Sequence, residues 1–166
     1  MTTQDYNDLL VSWLKNAHAM ETSLIKVLEN QAERASVFPE LSSRLRGHRE
    51  ESQRHANLLE GCIERRGGEI SQLRTGVSKL MADVESSFLG AFEDSIVKDT
   101  ILGVTSERTE IASYTAIIAL ANELGDEKTV EICEEILEDE IKMEEFLTDN
   151  LPELVHEAFE RDLLTS

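Results

Sequence analysis

The sequence predicts an all-α protein: four long helices in two hairpins, joined by a long helical crossover and followed by a short C-terminal helix. Three observations predict it. Leu, Glu, Ala, Lys and Arg are abundant, while the 166 residues include only two prolines and five phenylalanines, a balance that favours helix over sheet. Glycine and proline fall where long helices would start and stop. Between them, apolar residues recur three and four apart, the spacing that lines one face of a helix.

The first helix is predicted from about Gln4 to Ala35, with a stripe through Tyr6, Leu10, Trp13, Leu14, Ala17, Leu24 and Leu28. Pro39, whose fixed φ suits a first helical turn, opens a second helix that ends near Arg66 at Gly67-Gly68. The third runs from about Asp94 to Leu124 and stops at Gly125; the fourth follows at once, from Asp126 to about Asn150. Between the hairpins, Val77, Leu80, Met81, Val84 and Phe88 keep helical spacing and predict the crossover. Pro152 restarts a short amphipathic helix through Leu154, Val155, Phe159, Leu163 and Leu164. Two hairpins with one long crossover is the topology of ferritin-like bundles. With 40% apolar and 30% charged residues, the chain fits one such domain over residues 1–166.

Each stripe is interrupted by acid. Glu21 falls on the first, four after Ala17 and three before Leu24. His48, Glu51 and His55 interrupt the second, between Leu41, Leu45 and Leu58, Leu59, Cys62. Tyr114, Ile117, Ala121 and Leu124 continue backwards into Glu110 and Glu107, and Cys133, Ile136, Leu137, Leu147 and Leu151 enclose Glu140 and Glu144. The spacing repeats: Glu21 to Glu51 and Glu110 to Glu140 are equal steps, and the offset between hairpins is constant (110 − 21 = 89 and 140 − 51 = 89). The same offset carries His55 to Glu144 and His18 to Glu107, which reads as an old duplication. Glu21 and Glu51 lie roughly 21 and 18 Å from their turn, so the four glutamates are expected at one level of the bundle.

Clustered buried carboxylates repel one another or take up protons. Arg54 and Arg108 flank the level without fitting the stripes, so the expected compensation is two divalent metal ions. Hard oxygen ligands with one or two imidazoles suit iron or manganese, iron before manganese. Di-iron carboxylate bundles take one Glu from each of two helices and Glu-x-x-His from the other two; here the single ligands would be Glu21 and Glu110. Three residues after Glu51 and Glu140, however, stand Arg54 and Met143, so a ligand shifted by one position, to His55 or Glu144, is expected, with His48 as a rival. The candidate ligands are thus Glu21, Glu51, Glu110 and Glu140, then His55 and Glu144, then Glu107, His48 and His18, the last three with hydrogen-bonding to the ligands as the alternative role.

The formal charge of −18 argues against nucleic acid or an anionic membrane as partner and for cations. The polar, acidic start "MTTQDYND" lacks the pattern of a secretory signal, and no apolar run approaches the roughly 20 residues of a membrane span. Cys62 and Cys133 show no metal or redox spacing and read as small buried hydrophobes. A cytoplasmic protein is expected.

"AMETSL" with Glu21, "FPELSSRLRGHREES" with His48 and Glu51, "ERTEIASYTAIIALANELG" with Glu107, Glu110 and Tyr114, and "ILEDEIKMEE" with Glu140 and Glu144 together resemble the ferritin-like family of bacterial stress-associated proteins of the YciF/YciE type. The resemblance covers about Leu9 to Leu151. It implies a four-helix di-metal bundle and self-association, with a homodimer expected, but it carries no settled reaction. The functions left open are reduction of peroxide or oxygen, oxidation of iron, and a structural stress-associated assembly with a vacant or redox-silent site. No CxxC module is present to bring in electrons.

Overall fold

The computed structural model describes residues 2–70 and 96–161. Four helices build it: α1 (Thr3–Arg34), α2 (Pro39–Arg65), α3 (Ile96–Glu123) and α4 (Glu127–Glu160). Thr2 caps α1 through a reciprocal capping box with Asp5, which satisfies two of the amide groups that a helix start leaves unpaired. A short 3-10 turn, Ala35–Val37, leads into Pro39 at the first position of α2. Asp126 caps α4 by accepting from the Thr129 amide.

Helices α2 and α3 stop by the same device. Gly67 and Gly125 adopt φ of 75° and 65°, a left-handed conformation that glycine enters without a Cβ penalty. The amides of Gly67 and Gly68 return to Glu64 and Ile63, and those of Gly125 and Asp126 to Asn122 and Ala121, the paired bonds that satisfy the last free carbonyls.

The predicted hairpins are present: α1 packs on α2 and α3 on α4, and the two join through α1 with α3 and α2 with α4. The predicted crossover falls within residues 71–95, outside the described residues. The restart expected at Pro152 is not a break, because α4 runs through it to Glu160. Proline there cannot donate to the Thr148 carbonyl, yet Leu154 and Ala158 beyond it are buried in the core, and that burial keeps the last turns in line. Among the described residues, no helix is long and apolar enough to cross a membrane.

The interior has two apolar ends and a polar middle. One end gathers Leu10, Leu14, Leu59, Ile63, Ile117 and Ile136; the other gathers Leu24, Leu28, Leu41, Leu45, Met143 and Leu147. Between them every helix presents buried polar groups: Glu21 on α1, His48, Ser52 and His55 on α2, Glu107 and Glu110 on α3, Glu140 on α4. Apolar burial at both ends, worth roughly 25 cal/mol per Å², thus fixes the helices that hold this costly layer in place.

Candidate metal centre

Two groups of donor atoms form within the polar layer, and Glu140 belongs to both. Glu21, His55 and Glu140 make one; His48, Glu107 and Glu140 make the other, and in each the donor atoms lie within 4.8 Å of one another. His55 Nδ1 stands 2.9 Å from Glu140 Oε1 and 3.3 Å from Glu21 Oε1. His48 Nε2 stands 3.2 Å from Glu107 Oε2 and 3.4 Å from Glu140 Oε2. The two oxygens of Glu140 therefore face opposite groups. Glu110 is fully buried, and burial followed by the charges of Glu21, Glu140 and Glu107 raises its pKa well above the ordinary value.

Both imidazoles are oriented from outside. His48 Nδ1 meets Glu51 at 2.9 Å, and Glu51 is held in turn by Arg44 at 2.9 Å. His55 Nε2 lies 3.3 Å from Asp139, which Arg54 holds at 2.5 Å. A carboxylate on the far nitrogen fixes the tautomer and aims the other nitrogen inward. On α1, Glu21 Oε1 accepts a 2.5 Å hydrogen bond from the buried Tyr114 hydroxyl.

The electrostatics are those of a site short of positive charge. Burial alone would lower the pKa of His48, but Glu107 and Glu51 outweigh it and raise it to about 10; Glu140 and Glu21 likewise outweigh burial and raise His55 to about 9. Glu140, pushed up by burial and Glu107 against the pull of His55 and His48, lies at about 7. Even so, Glu21 Oε2, Glu107 Oε2, both oxygens of Glu110 and both of Glu140 are buried without a hydrogen bond of proper geometry, as are His48 Nε2 and His55 Nδ1. Orphaned buried oxygens normally cost about 1–3 kcal/mol each and more when charged. Here they converge, and oxygen-rich donor sets with two imidazoles fit iron or manganese.

Of the expected ligands, the structure brings Glu21, His48, His55, Glu107, Glu110 and Glu140 into this layer and leaves out Glu51 and Glu144. The Glu51 side chain is 31% exposed beside Arg44, and the His48 hydrogen bond, with help from Arg44, lowers its pKa to about 2. Glu144 accepts from Arg108 and Thr148. His18 lies on the α1 face below Glu21 and meets Glu60 at 3.1 Å, away from both groups.

Helix phase explains the difference. The buried positions Leu45, His48, Ser52, His55 and Leu59 of α2 match Cys133, Ile136, Glu140, Met143 and Leu147 of α4 with an offset one residue smaller than the 89 that relates Glu21 to Glu110 (140 − 52 = 88). Ser52, not Glu51, is therefore the counterpart of Glu140, and Ser52-x-x-His55 occupies the place expected of Glu-x-x-His. Sequence reasoning missed Ser52 and Asp139. The spacing of His48, Ser52 and His55 with Leu45 and Leu59 was the signal for the first; no pattern pointed to the second.

A family model described as Domain of unknown function (DUF892) matches residues 5–160. The chain belongs to the DUF892 family. This DUF892 member is 24% identical over 153 residues to Protein YciF of Escherichia coli K12, covering 90% of this chain and 92% of that protein. A crystal structure of a protein from Xanthomonas campestris pv. campestris is similar with a TM-score of 0.81 and 30% identity, over 95% of this chain and 98% of the other. The crystal structure of the E. coli stress protein YciF gives 0.77 and 21% identity, over 94% and 98%. The bacterioferritin of Desulfovibrio desulfuricans, whose structure concerns its diiron site, gives 0.74 and 19%, over 94% and 85%. The fold is ferritin-like, and the DUF892 member is a relative of YciF.

Proposed function

We propose that this protein binds two divalent ions, iron before manganese, in the mid-bundle layer and uses them in stress defence, reducing peroxide or oxygen or oxidising iron, as a cytoplasmic homodimer. The observation that carries the reading is the orphaned set of oxygens around Glu140 and Glu110. Glu21, Glu107, Glu110 and Glu140 bear four negative charges when ionised, and His48 and His55 as imidazolium would cancel only two. Two divalent ions with neutral imidazoles would balance all four.

Glu21 and His55 would hold one ion, His48 and Glu107 the other, and Glu140 would span them, with Glu110 completing the layer. The bound metals would supply redox chemistry with peroxide or oxygen. The chain's own contribution is to aim the ligands, through Glu51 on His48, Asp139 on His55 and Tyr114 on Glu21, and to exclude bulk water with the apolar ends. The YciF relationship and the diiron site named for the bacterioferritin support this reading. Titrating metal-free protein with Fe(II) or Mn(II) tests it: saturable uptake at two equivalents per chain is expected, and its absence would leave a structural assembly protein with a silent site.

A further inference from the structure

The two groups are fully buried, so an ion must have a way in. At the end of the bundle where α2 begins and α4 finishes, a cavity of about 350 Å³ opens between Phe38, Leu41, Thr100 and Leu154. Three of its wall residues, Leu41, Thr100 and Leu147, also line a second cavity of about 10 Å³ that reaches Glu107. The two are neighbours through shared walls, and the inner one ends at a candidate ligand.

The track between them is built on one face of α3. Thr100, Gly103 and Glu107 are three and four residues apart, spanning roughly 10 Å of helix. Thr100 is 5% exposed and Glu107 2%, and among the described residues Glu107 Oε2 makes no hydrogen bond of proper geometry. Gly103 lies between them in the wall of the inner cavity, and its lack of a side chain lets Leu147 pack close: a Cβ there would come within 2.9 Å of Leu147 Cδ1. The inner cavity has room for about one water, and Gln31, Asp99, Thr100 and Glu107 stand among its apolar walls.

The outer cavity is acidic. Among the described residues, Glu40, Glu153 and Glu157 line it against one cation, Arg161, which sits 3.5 Å from Glu157 and over the Phe38 ring. Deeper in, Asp99 is held by Arg34 at 2.7 Å. A mouth of one sign with low-dielectric walls concentrates counter-ions and speeds their arrival.

We propose that divalent cations enter along the bundle axis through this acidic mouth, pass Thr100 and Gly103 in the wall of the inner cavity, and reach Glu107 before any other candidate ligand. The proposal rests on the di-metal reading above and adds the route to it. The test uses Co(II) as probe and follows its uptake by metal-free protein in stopped-flow absorbance, with stoichiometry measured separately by equilibrium dialysis. Glu40→Gln with Glu153→Gln should slow association at least about threefold at low salt, less at high salt, with stoichiometry unchanged. The matched pair Glu127→Gln with Glu131→Gln, at the opposite end of α4, should have no such effect. Gly103→Val should slow uptake further by crowding Leu147 and the inner cavity, and the surface pair carries the test should that variant fold poorly. Equal rates for the two glutamine pairs, with stoichiometry intact, would overturn the route alone. No saturable Co(II) uptake by the unaltered protein would overturn the di-metal reading, and the route with it.

Discussion

The Glu51 carboxylate stands 2.9 Å from Nδ1 of His48, on the outer side of a ring whose Nε2 faces Glu107 and Glu140. This places Glu51 behind a candidate ligand and outside both donor groups. Glu51→Gln should keep both ions and bind them about 10–100-fold more weakly, the usual cost of losing such a support. Without metal, the variant should lose about 1 kcal/mol, since a partly exposed charge-assisted bond is worth less than a buried one. Competition against a chelator and urea unfolding measure the two effects. Loss of a whole equivalent would make Glu51 a direct ligand.

Glu140 turns one oxygen to each group, whereas Glu21 and Glu107 each serve one. Glu140→Ala is therefore expected to abolish both equivalents, while Glu21→Ala and Glu107→Ala remove one each. Metal analysis after dialysis against limiting free Mn(II) separates these outcomes. Retention of two ions by Glu140→Ala would show that the two groups do not share this residue.

Tyr114 and Glu21 come from different hairpins and meet in a 2.5 Å hydrogen bond with both side chains fully buried. Tyr114→Phe keeps the ring and removes the donor. Glu21 Oε1 then loses its buried hydrogen bond from the Tyr114 hydroxyl, and the metal-free protein should be less stable by about 1–3 kcal/mol. Metal should restore most of that difference by mass action, because it offers Glu21 another partner. Thermal melts with and without Mn(II) measure both terms, and equal losses in the two states would mean that Tyr114 acts on packing alone.

The helices and the polar layer were legible in the sequence because both depend on local spacing. Pro39, Gly67 and Gly125 mark helix ends through backbone chemistry, and Glu21, Glu110 and Glu140 stand out because each interrupts an apolar stripe. Glu51 falls outside the buried layer for a physical reason. It lies next to the buried phase of α2, and a single residue changes the direction of a helical side chain by about 100°. The 89-residue repeat holds between α1 and α3, but the first hairpin spans one residue more between Glu21 and Ser52 than the second does between Glu110 and Glu140. That extra residue lies in the hairpin connection, where periodicity carries no information. Pro152 misled in the opposite direction, because burial of Leu154 and Ala158 is a tertiary effect that overrides a local breaker.

The pH dependence follows from the same layer. Glu140 ionises at about 7 instead of 4.5, and Glu110 higher than its ordinary value. Between these values the folded chain binds more protons than the unfolded one, so stability falls as pH rises from about 4.5 through 7. His48 and His55 add to this: their contribution is complete below 6.5 and is lost as pH rises through about 9 and 10. Glu51 works the other way, its contribution present above 4.5 and lost as pH falls through about 2. Metal-free protein should therefore be most stable near about pH 5 and weaken steadily toward pH 9. Binding the ions requires the same carboxylates and imidazoles to give up their protons, so affinity should climb over the range in which the metal-free fold weakens. Calorimetric titration with Mn(II) in two buffers of different ionisation enthalpy counts the protons released. More protons should leave at pH 6 than at pH 9, and a count of zero at both would mean that the ions do not bind in this layer.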